Sequence, residues 1–495
     1  MQEVLYATTP APTRTAYHLR AAELLVDAPE LVATHAAAAG DWPSAAAAQL
    51  LAAEQAGRRF ATADAEQLAG RALVAAERAG DQELIAGAYL GRGLARAALG
   101  AFRTAFDDLR AALAAARLAG HRTLEMRALR ELGGDAGVAV SMDEAIACLR
   151  DGLHIAESLE DRGMQARFLS WLAVQASNRL RFAEALGWAR RAMTAARETV
   201  GDEAVLAAGL DGLKNAYAYL GELGPLDGVL SELVPMLRRL GDLHLLEWAV
   251  FESAFASVGA ADWLAAEARI NEAITISRRS GYVLDESWFT AHLGWVARLQ
   301  GRYDDAVEHG HRAVRLAAGT EHLWFATTGD SLLAGTLLEL GRTSEAARLL
   351  GAARQRAQVE GAEAYLLRCL APLAEATGSA SVLAEADALL AGIDAPPGTA
   401  WLLGTDAYLA VARCWLRHGD PGRARTVLRP LLAAADRQRW IPAQAAGALV
   451  DGQAASALGQ AGSAVAALAR SAELATRHGM PHLDRAARAA LARSG

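Results

Sequence analysis

The stretch LGWVARLQGRYDDAVEHGHRAVRLA at residues 293–317 decides the fold. It places Gly301 between two runs rich in Ala, Leu, Arg and Glu, which are strong helix formers. Tyr303 stands just after this glycine, and Ala306 and Ala313 follow. Alanines seven residues apart share one face of a helix, and their small side chains let a neighbouring helix approach closely. The stretch therefore predicts a helical hairpin that turns at Gly301.

The same pattern recurs along the chain with a period of about forty residues. One series of turn glycines has Leu180 and Ala261 in two of its slots. Its members are Gly100, Gly221, Gly301, Gly341, Gly419 and Gly459. A second series is offset by about half a period and comprises Gly80, Gly120, Gly201, Gly241, Gly281, Gly319, Gly361, Gly398 and Gly479. Because glycine adopts the left-handed conformation that ends helices, the two series predict stacked helical hairpins.

Composition excludes several classes of protein. The chain has 495 residues and a formal net charge of −8, which argues against a nucleic-acid-binding surface. Its apolar runs are shorter than the roughly 20 residues that a membrane span needs. No basic region precedes an apolar run at the N-terminus, as a secretion signal would require. We expect a cytoplasmic protein in which Cys148, Cys369 and Cys414 are buried thiols.

The repeat resembles the tetratricopeptide repeat (TPR). The resemblance rests on the pair Leu293-Gly294, the turn glycine, the aromatic residue after it and the two alanines, and it covers most of residues 61–495. The repeats are longer than the roughly 34 residues of the standard TPR. The predicted fold is all-α: a TPR-like α-solenoid, or superhelix of antiparallel helix pairs.

Two segments depart from the repeat. Pro225 and Pro235 fall in or near one second helix of a hairpin and should shorten or bend it. The segment 394–398 contains two prolines and a glycine and should form a loop between repeats. The predicted organisation is residues 1–60 as N-terminal junction helices, 61–393 as a repeat array, 394–398 as a loop, and 399–495 as C-terminal repeats with a closing helix.

The first sixty residues carry a second resemblance. Val4-Leu5-Tyr6 precedes Arg14 and His18, and Ala33-Thr-His35 follows within a small-residue helix. This pattern is similar to the junction in large bacterial ATP-dependent regulators of the LuxR type, which include maltose-activator-like proteins. In that family a P-loop ATPase and a winged helix precede the junction, and a helical repeat array follows it. Residues 478–495 resemble the helix that closes such arrays before a DNA-binding domain. The resemblance implies the sensor module of a transcription regulator, without the ATPase and DNA-binding domains.

Motifs for nucleotide binding and catalysis are missing from the sequence. A P-loop needs GxxxxGK[ST], and the one lysine of this chain, Lys214, has no such loop around it. GxSxG, HExxH and CxxC are also absent. We expect no ATP binding, no cofactor and no catalytic residues. An enzyme with an unrecognised helical active site is the remaining alternative.

The histidines do not predict a metal site. The close pair His309 and His311 is separated by two positions on a helix, so the rings point to different faces and chelate poorly. We expect no metal ligands. His18 and His35 match the junction pattern, and each is expected to be a hydrogen-bonded packing histidine rather than a metal ligand.

A candidate binding groove lies on the first helices of the hairpins. In TPR arrays these helices line the inner surface at positions thirteen, ten, six and three residues before the turn. For the turns at 180, 221, 261 and 301, these positions give a polar stretch followed by an aromatic one. The predicted groove residues are Arg167, Ser170, Asp211, Asn215, Trp248, Phe251, Phe255, Trp288, Trp295 and Arg298. Such a surface suits a peptide or a small ligand. The alternative is that the rings fill the core between repeats.

The sequence therefore predicts a non-catalytic binding scaffold. The expected partner is a protein or peptide, with a small-molecule effector and self-association left open, and without direct contact to nucleic acid or membrane. Two contexts fit: the sensor module of a LuxR-type regulator, or a free-standing TPR adaptor or peptide receptor with no transcriptional role.

Overall fold

Antiparallel helix pairs build the chain throughout. The computed structural model describes residues 8–494, and the chain divides into two units, Met1–Glu160 and Asp161–Gly495. The motif Val4-Leu5-Tyr6 lies outside the described residues. The boundary between the units falls inside the segment that the sequence predicts as one repeat array. No described helix is both long enough and apolar enough to cross a membrane.

The first unit consists of short-linked helices. They are α1 (Ala11–Leu24), α2 (Pro29–Ala39), α3 (Trp42–Arg58), α4 (Thr62–Ala79), α5 (Gln82–Ala98), α6 (Phe102–Ala119), α7 (Arg122–Leu132), α8 (Asp135–Val138) and α9 (Met142–Ser158). In this unit Nδ1 of His18 and Nδ1 of His35 lie 2.9 Å apart in a hydrogen bond, a pairing that the sequence did not predict.

The second unit contains the remaining helices. They are α10 (Arg162–Asn178), α11 (Phe182–Glu198), α12 (Glu203–Leu220), α13 (Leu223–Leu240), α14 (Leu243–Gly259), α15 (Trp263–Ser280), α16 (Val283–Leu299), α17 (Tyr303–Leu316), α18 (Leu323–Glu339), α19 (Thr343–Glu360), α20 (Glu363–Thr377), α21 (Ala380–Ala391), α22 (Thr405–Arg417), α23 (Pro421–Gln438), α24 (Ile441–Ala457), α25 (Ala461–Arg477) and α26 (Pro481–Ser494). A 3₁₀ helix, Leu402–Gly404, precedes α22. Even-numbered helices from α10 to α20 are the first members of their hairpins.

Left-handed residues end the helices at the predicted stops. Gly221 has φ +62°, and the two predicted substitutes for glycine, Leu180 and Ala261, have φ +58° and +56°. At Gly221 the requirement is also spatial, because a Cβ there would lie 1.6 Å from the ring of Trp440. The glycine spacing therefore predicted most helix ends correctly, including two positions where the residue is not glycine. It is wrong at Gly398, which lies in the loop after α21, and it missed Gly378, which ends α20.

Small residues form the crossings between helices, as predicted. Ala306 and Ala313 are buried, while Glu308 and Arg315 on the other face of α17 are exposed. A Cβ at Gly294 would lie 3.0 Å from the carbonyl oxygen of Ala306. Helix α16 therefore needs a residue without a side chain where α17 crosses it.

The two irregular segments have different outcomes. Helix α13 contains both Pro225 and Pro235 and still runs for 18 residues, so the predicted shortening is wrong. Pro225 lies in the first turn, where a backbone N–H has no helical acceptor to lose. The segment around Asp394 is irregular, as predicted. Two backbone hydrogen bonds hold its first residue: Asp394 N–H donates to Leu180 O at 3.0 Å, and Ala183 N–H donates to Asp394 O at 3.0 Å.

The C-terminal hairpins of the second unit pack against the turns of its middle hairpins. The indole Nε1 of Trp440 donates to Gly221 O at 3.1 Å. The indole Nε1 of Trp263 donates to His478 O at 2.8 Å. Helix α20 also contacts α10. The inner helices of this unit are therefore enclosed by helices from distant parts of the sequence.

Cysteine burial agrees in part with expectation. Cys369 and Cys414 are buried free thiols, whereas Cys148 is half-buried. Burial raises the pKa of the Cys148 thiol to about 11, with nearby Glu144 adding to the effect. This thiol is therefore protonated and unreactive near neutral pH.

Candidate functional site: the inner helices of the second unit

Four aromatic side chains from four hairpins meet in the second unit. Trp248 of α14 lies 5.6 Å from Trp288 of α16, which lies 6.0 Å from Tyr365 of α20, as measured between ring centroids. Trp324 of α18 stacks on Tyr365 at 4.7 Å. We call these four residues the aromatic cluster. Trp248, Trp288 and Tyr365 each stand thirteen residues before their turn, so the repeat itself brings them to the same level.

His292 extends the aromatic cluster along α16. Its ring stacks on Trp288 at 5.2 Å, and its Nδ1 donates to the carbonyl oxygen of Trp288 at 2.8 Å. Burial lowers the pKa of His292 to about 3, and the charge of nearby Arg368 contributes to this effect. The ring is therefore neutral near pH 7. Its Nε2 is a buried acceptor without a hydrogen-bond partner among residues 8–494.

Arg368 places an uncompensated positive charge beside the aromatic cluster. Its guanidinium lies 5.8 Å from the ring centroid of Trp288, in a cation–π arrangement. Within the part of the chain that the structure describes, this guanidinium forms no hydrogen bond and no ion pair. The residue is half-buried, and burial lowers the pKa of the guanidinium. Burying a cation without a partner costs free energy. An anion bound next to Arg368 would reduce that cost.

Lys214 on α12 shows the opposite arrangement. Its Nζ lies 2.7 Å from Asp211 Oδ1 and 2.9 Å from Glu252 Oε2. Although burial disfavours the charged ammonium, the two carboxylates outweigh that effect and raise the pKa of Lys214 above its usual range. The lysine is therefore a structural cation, held by the protein itself.

The predicted polar groove residues separate into two groups. Arg298, Asp211 and Ser170 are engaged within the protein: Arg298 pairs with Glu339 and Asp406, Asp211 pairs with Lys214, and Ser170 Oγ donates to the carbonyl oxygen of Ala208. The role expected for Arg298, a free polar anchor, does not fit this geometry because two carboxylates already neutralise its charge. Asn215 is half-buried, and its Oδ1 is a buried acceptor with no hydrogen-bond partner among the described residues. Arg167 is also half-buried.

The predicted aromatic residues also differ from one another. Phe251, Phe255 and Trp295 are buried and fill the core between hairpins. This agrees with the alternative interpretation of the predicted aromatic residues, in which their rings are core and not a binding surface. Trp288 is buried too, but its indole Nε1 lacks a hydrogen-bond acceptor within residues 8–494. Trp248 is half-buried. Of the predicted set, Asn215, Trp248 and Trp288 keep a polar atom or a ring surface that a ligand could use.

Sequence reasoning missed Tyr365 and Arg368, although a signal for them exists. They stand thirteen and ten residues before Gly378, which has φ +66° and ends α20. The rule that selected the other groove positions would have selected these residues if it had been applied to this turn. His292 and Trp324 lie at other positions in their helices, and no spacing in the sequence marks them.

Comparison with known proteins finds similar solved structures at low sequence identity. No protein-family model and no curated protein matches the chain. A Rap protein in complex with competence and sporulation factor has a TM-score of 0.49 at 16% identity, covering 79% of this chain and 98% of that one. The Cut9–Hcn1 hetero-tetramer of the APC/C has a TM-score of 0.48 at 15% identity, covering 94% and 89%.

A third similar structure is a signal transduction ATPase with numerous domains and a TPR sensor, from Pyrococcus horikoshii. It has a TM-score of 0.42 at 15% identity, and the match covers 72% of this chain and 54% of that one. The antiparallel helix pairs and their repeat define an all-α, TPR-like solenoid.

Proposed function

We propose that this chain is a non-catalytic binding scaffold whose second unit holds an anionic group of a peptide or small-molecule ligand at Arg368. The uncompensated guanidinium of Arg368 is the main support for this proposal. Arginine binds carboxylates through two parallel hydrogen bonds, and such charge-assisted bonds are the strong ones. Among the described residues only the more distant charge of Asp406 acts on this guanidinium, so a ligand carboxylate would supply a direct ion-pair partner.

The neighbourhood of Arg368 supports a ligand with an apolar or aromatic part. Trp288 and Trp324 place buried rings here, and the indole Nε1 of each is a buried donor without an acceptor among residues 8–494. His292 Nε2, and Asn215 Oδ1 on α12, are buried acceptors without a donor among the same residues. Apolar walls with a few convergent polar groups are typical of ligand sites.

The test compares two probes that differ only in charge. We would titrate 2-naphthoate and its neutral amide, 2-naphthamide, into the wild-type chain and follow tryptophan fluorescence. Short peptides with free and with amidated C-termini form a second pair of probes. We expect the carboxylate forms to bind at least about tenfold more tightly, because hydrogen bonds to charged groups contribute roughly 1.5–3 kcal/mol.

Arg368→Gln should abolish the preference for the carboxylate, whereas Arg315→Gln on the exposed face of α17 should preserve it. Equal affinity of the acid and amide forms for the wild-type chain would contradict the proposal. A preference that survives in Arg368→Gln would also do so.

We further propose that this scaffold is the sensor module of a LuxR-type transcription regulator. Support comes from the junction pattern between Arg14 and His35 and from the repeat that follows it. A reading frame for a P-loop ATPase or winged helix next to this gene would favour that context. Neighbouring genes without either domain would favour the free-standing adaptor.

A further inference from the structure

A cluster of three metal-ligating side chains lies where two inner helices of the second unit begin. His244 and Glu247 are three residues apart in the first two turns of α14, and Asp285 is in the first turn of α16. One ligand atom from each residue lies within 4.8 Å of the others. The His244 ring packs edge-on against Tyr282 at 4.3 Å between centroids, which limits its rotation.

The two carboxyl groups of this cluster are buried and incompletely satisfied. Both Glu247 and Asp285 are almost inaccessible to solvent. Ser280 Oγ donates to Glu247 Oε2 at 3.1 Å. Glu247 Oε1 and Asp285 Oδ2 have no hydrogen-bond donor among the described residues.

Charge balance is also incomplete at this place. Neither Glu247 nor Asp285 forms an ion pair with an arginine or a lysine within residues 8–494. Asp242, the residue just before α14, adds a further negative charge near Glu247. Two adjacent buried carboxyl groups cannot both stay ionised without a cation, so the cluster needs either a shared proton or a metal ion.

We propose that His244, Glu247 and Asp285 bind one divalent transition-metal ion, of which Zn²⁺ fits best. An imidazole nitrogen with two carboxylates is a donor set that Zn²⁺ accepts, whereas Mg²⁺ and Ca²⁺ prefer oxygen ligands alone. Zn²⁺ binds nitrogen and oxygen at roughly 2.0–2.2 Å, so its ligand atoms lie within about 4.4 Å of each other. Small side-chain rotations bring the three ligand atoms from their present spacing to this range.

The proposed ion would join two neighbouring hairpins next to the aromatic cluster. Glu247 directly precedes Trp248, and Asp285 is three residues before Trp288. The site differs from the His309 and His311 pair that is visible in the sequence. Its third ligand lies 38 residues after the second, so the histidine–glutamate spacing alone does not reveal it.

Isothermal titration of the full chain with ZnCl₂, after removal of metals with EDTA and dialysis, tests the proposal directly. We expect one Zn²⁺ per chain with a dissociation constant below about 1 μM, and a rise in melting temperature when Zn²⁺ is present. A large excess of Mg²⁺ should not displace it. Co²⁺ in place of Zn²⁺ should give visible absorption bands that change in a His244→Ala variant.

Variants show whether these three residues hold the ion. His244→Ala, Glu247→Gln and Asp285→Asn should each weaken Zn²⁺ binding by at least tenfold, and His311→Ala should leave it unchanged. Because His244 is half-buried, the His244→Ala protein should fold even if the Glu247→Gln protein does not. Circular dichroism shows whether each variant is folded. A wild-type chain that binds no Zn²⁺ at about 0.1 mM would overturn the proposal and assign a shared proton to the two carboxyl groups. Wild-type affinity in the His244→Ala variant would overturn it as well.

Discussion

The two units use the same hairpin but differ in what they bury. Residues 1–160 contain one of the chain's 11 tryptophans, Trp42, so residues 161–495 contain the other ten. In the first unit buried charge is balanced: Asp108 accepts hydrogen bonds from Arg92 at 2.7 Å and from Arg96 at 2.8 Å. In the second unit Arg368 has no such ion-pair partner in the described part of the chain. Small residues alone suffice to stack hairpins, and the aromatic cluster with its uncompensated charge is therefore an addition that the fold does not require.

The largest expected difference between the units concerns the packing of Trp440. Trp440→Ala removes a fully buried indole and its hydrogen bond to Gly221, and should lower the free energy of unfolding by roughly 3–5 kcal/mol. Trp42→Ala in the first unit removes a half-buried ring and should have a much smaller effect. Urea unfolding followed by circular dichroism measures both. Equal losses would contradict a stabilising role for the contact between distant hairpins.

Acid should destabilise the second unit through His292 and His322. Burial lowers the pKa of both rings to about 3, below the unfolded value near 6.5. Their contribution to stability is complete above pH 6.5 and is lost as the pH falls towards the folded pKa. The loss should approach about 1.4 kcal/mol per pH unit for each histidine. Melting temperatures between pH 7.5 and 5 measure the slope, which His292→Gln should reduce. An unchanged slope in that variant would contradict the neutral, buried state of His292.

Overpacking of the helix crossings should affect both units equally. Ala306→Leu in the second unit and Ala105→Leu in the first should each cost roughly 1–3 kcal/mol, because both positions are buried against a neighbouring helix. Glu308→Leu on the exposed face of α17 should change stability little. Thermal unfolding measures all three variants. A loss confined to one unit would mean that the units do not share one repeat register.

Removal of an arginine should raise the free energy of unfolding in the second unit and lower it in the first. Arg368→Met removes a half-buried cation that forms no ion pair among the described residues and should raise stability by about 1 kcal/mol, because function rather than folding retains such a charge. Arg92→Met removes one of the two partners of the buried Asp108 and should lower stability by a similar amount. Melting temperatures in ligand-free buffer test this pair. A loss of stability in Arg368→Met would indicate that Arg368 is a structural residue.

The smallest effect on stability should come from relieving the backbone strain of one residue with a left-handed conformation. Ala261 has φ +56°, and Ala261→Gly should raise stability by roughly 0.5–1 kcal/mol because glycine adopts this conformation without steric cost. The neighbouring Ala260 has helical φ and ψ, so Ala260→Gly should lower stability instead. Differential scanning calorimetry resolves shifts of this size. Shifts of equal sign would contradict the strain assigned to Ala261.

The fold could be predicted from the sequence because the repeat is encoded locally. The period placed even Leu180 and Ala261 at left-handed stops, since each hairpin must turn at the same point whatever residue occupies it. The candidate site was only partly predictable. Arg298 and Arg368 both lie on inner helices, yet Arg298 pairs with Asp406, 108 residues away, and Arg368 forms no ion pair among residues 8–494. Pairing between distant residues decides which arginine is available, and spacing within one repeat carries no information about it.

The contacts between Trp440 and Gly221 and between Trp263 and His478 join residues that are 219 and 215 positions apart. An ordinary repeat array is quasi-one-dimensional, so its hairpins can fold in order as they leave the ribosome. Here the middle hairpins reach their final partners only after the last hairpins have been synthesised. At about 5–20 residues per second, the intervening segment takes on the order of 10–40 s to make. During that interval the faces that α23 to α26 will cover stay exposed, so the second unit completes its folding late and as one cooperative step.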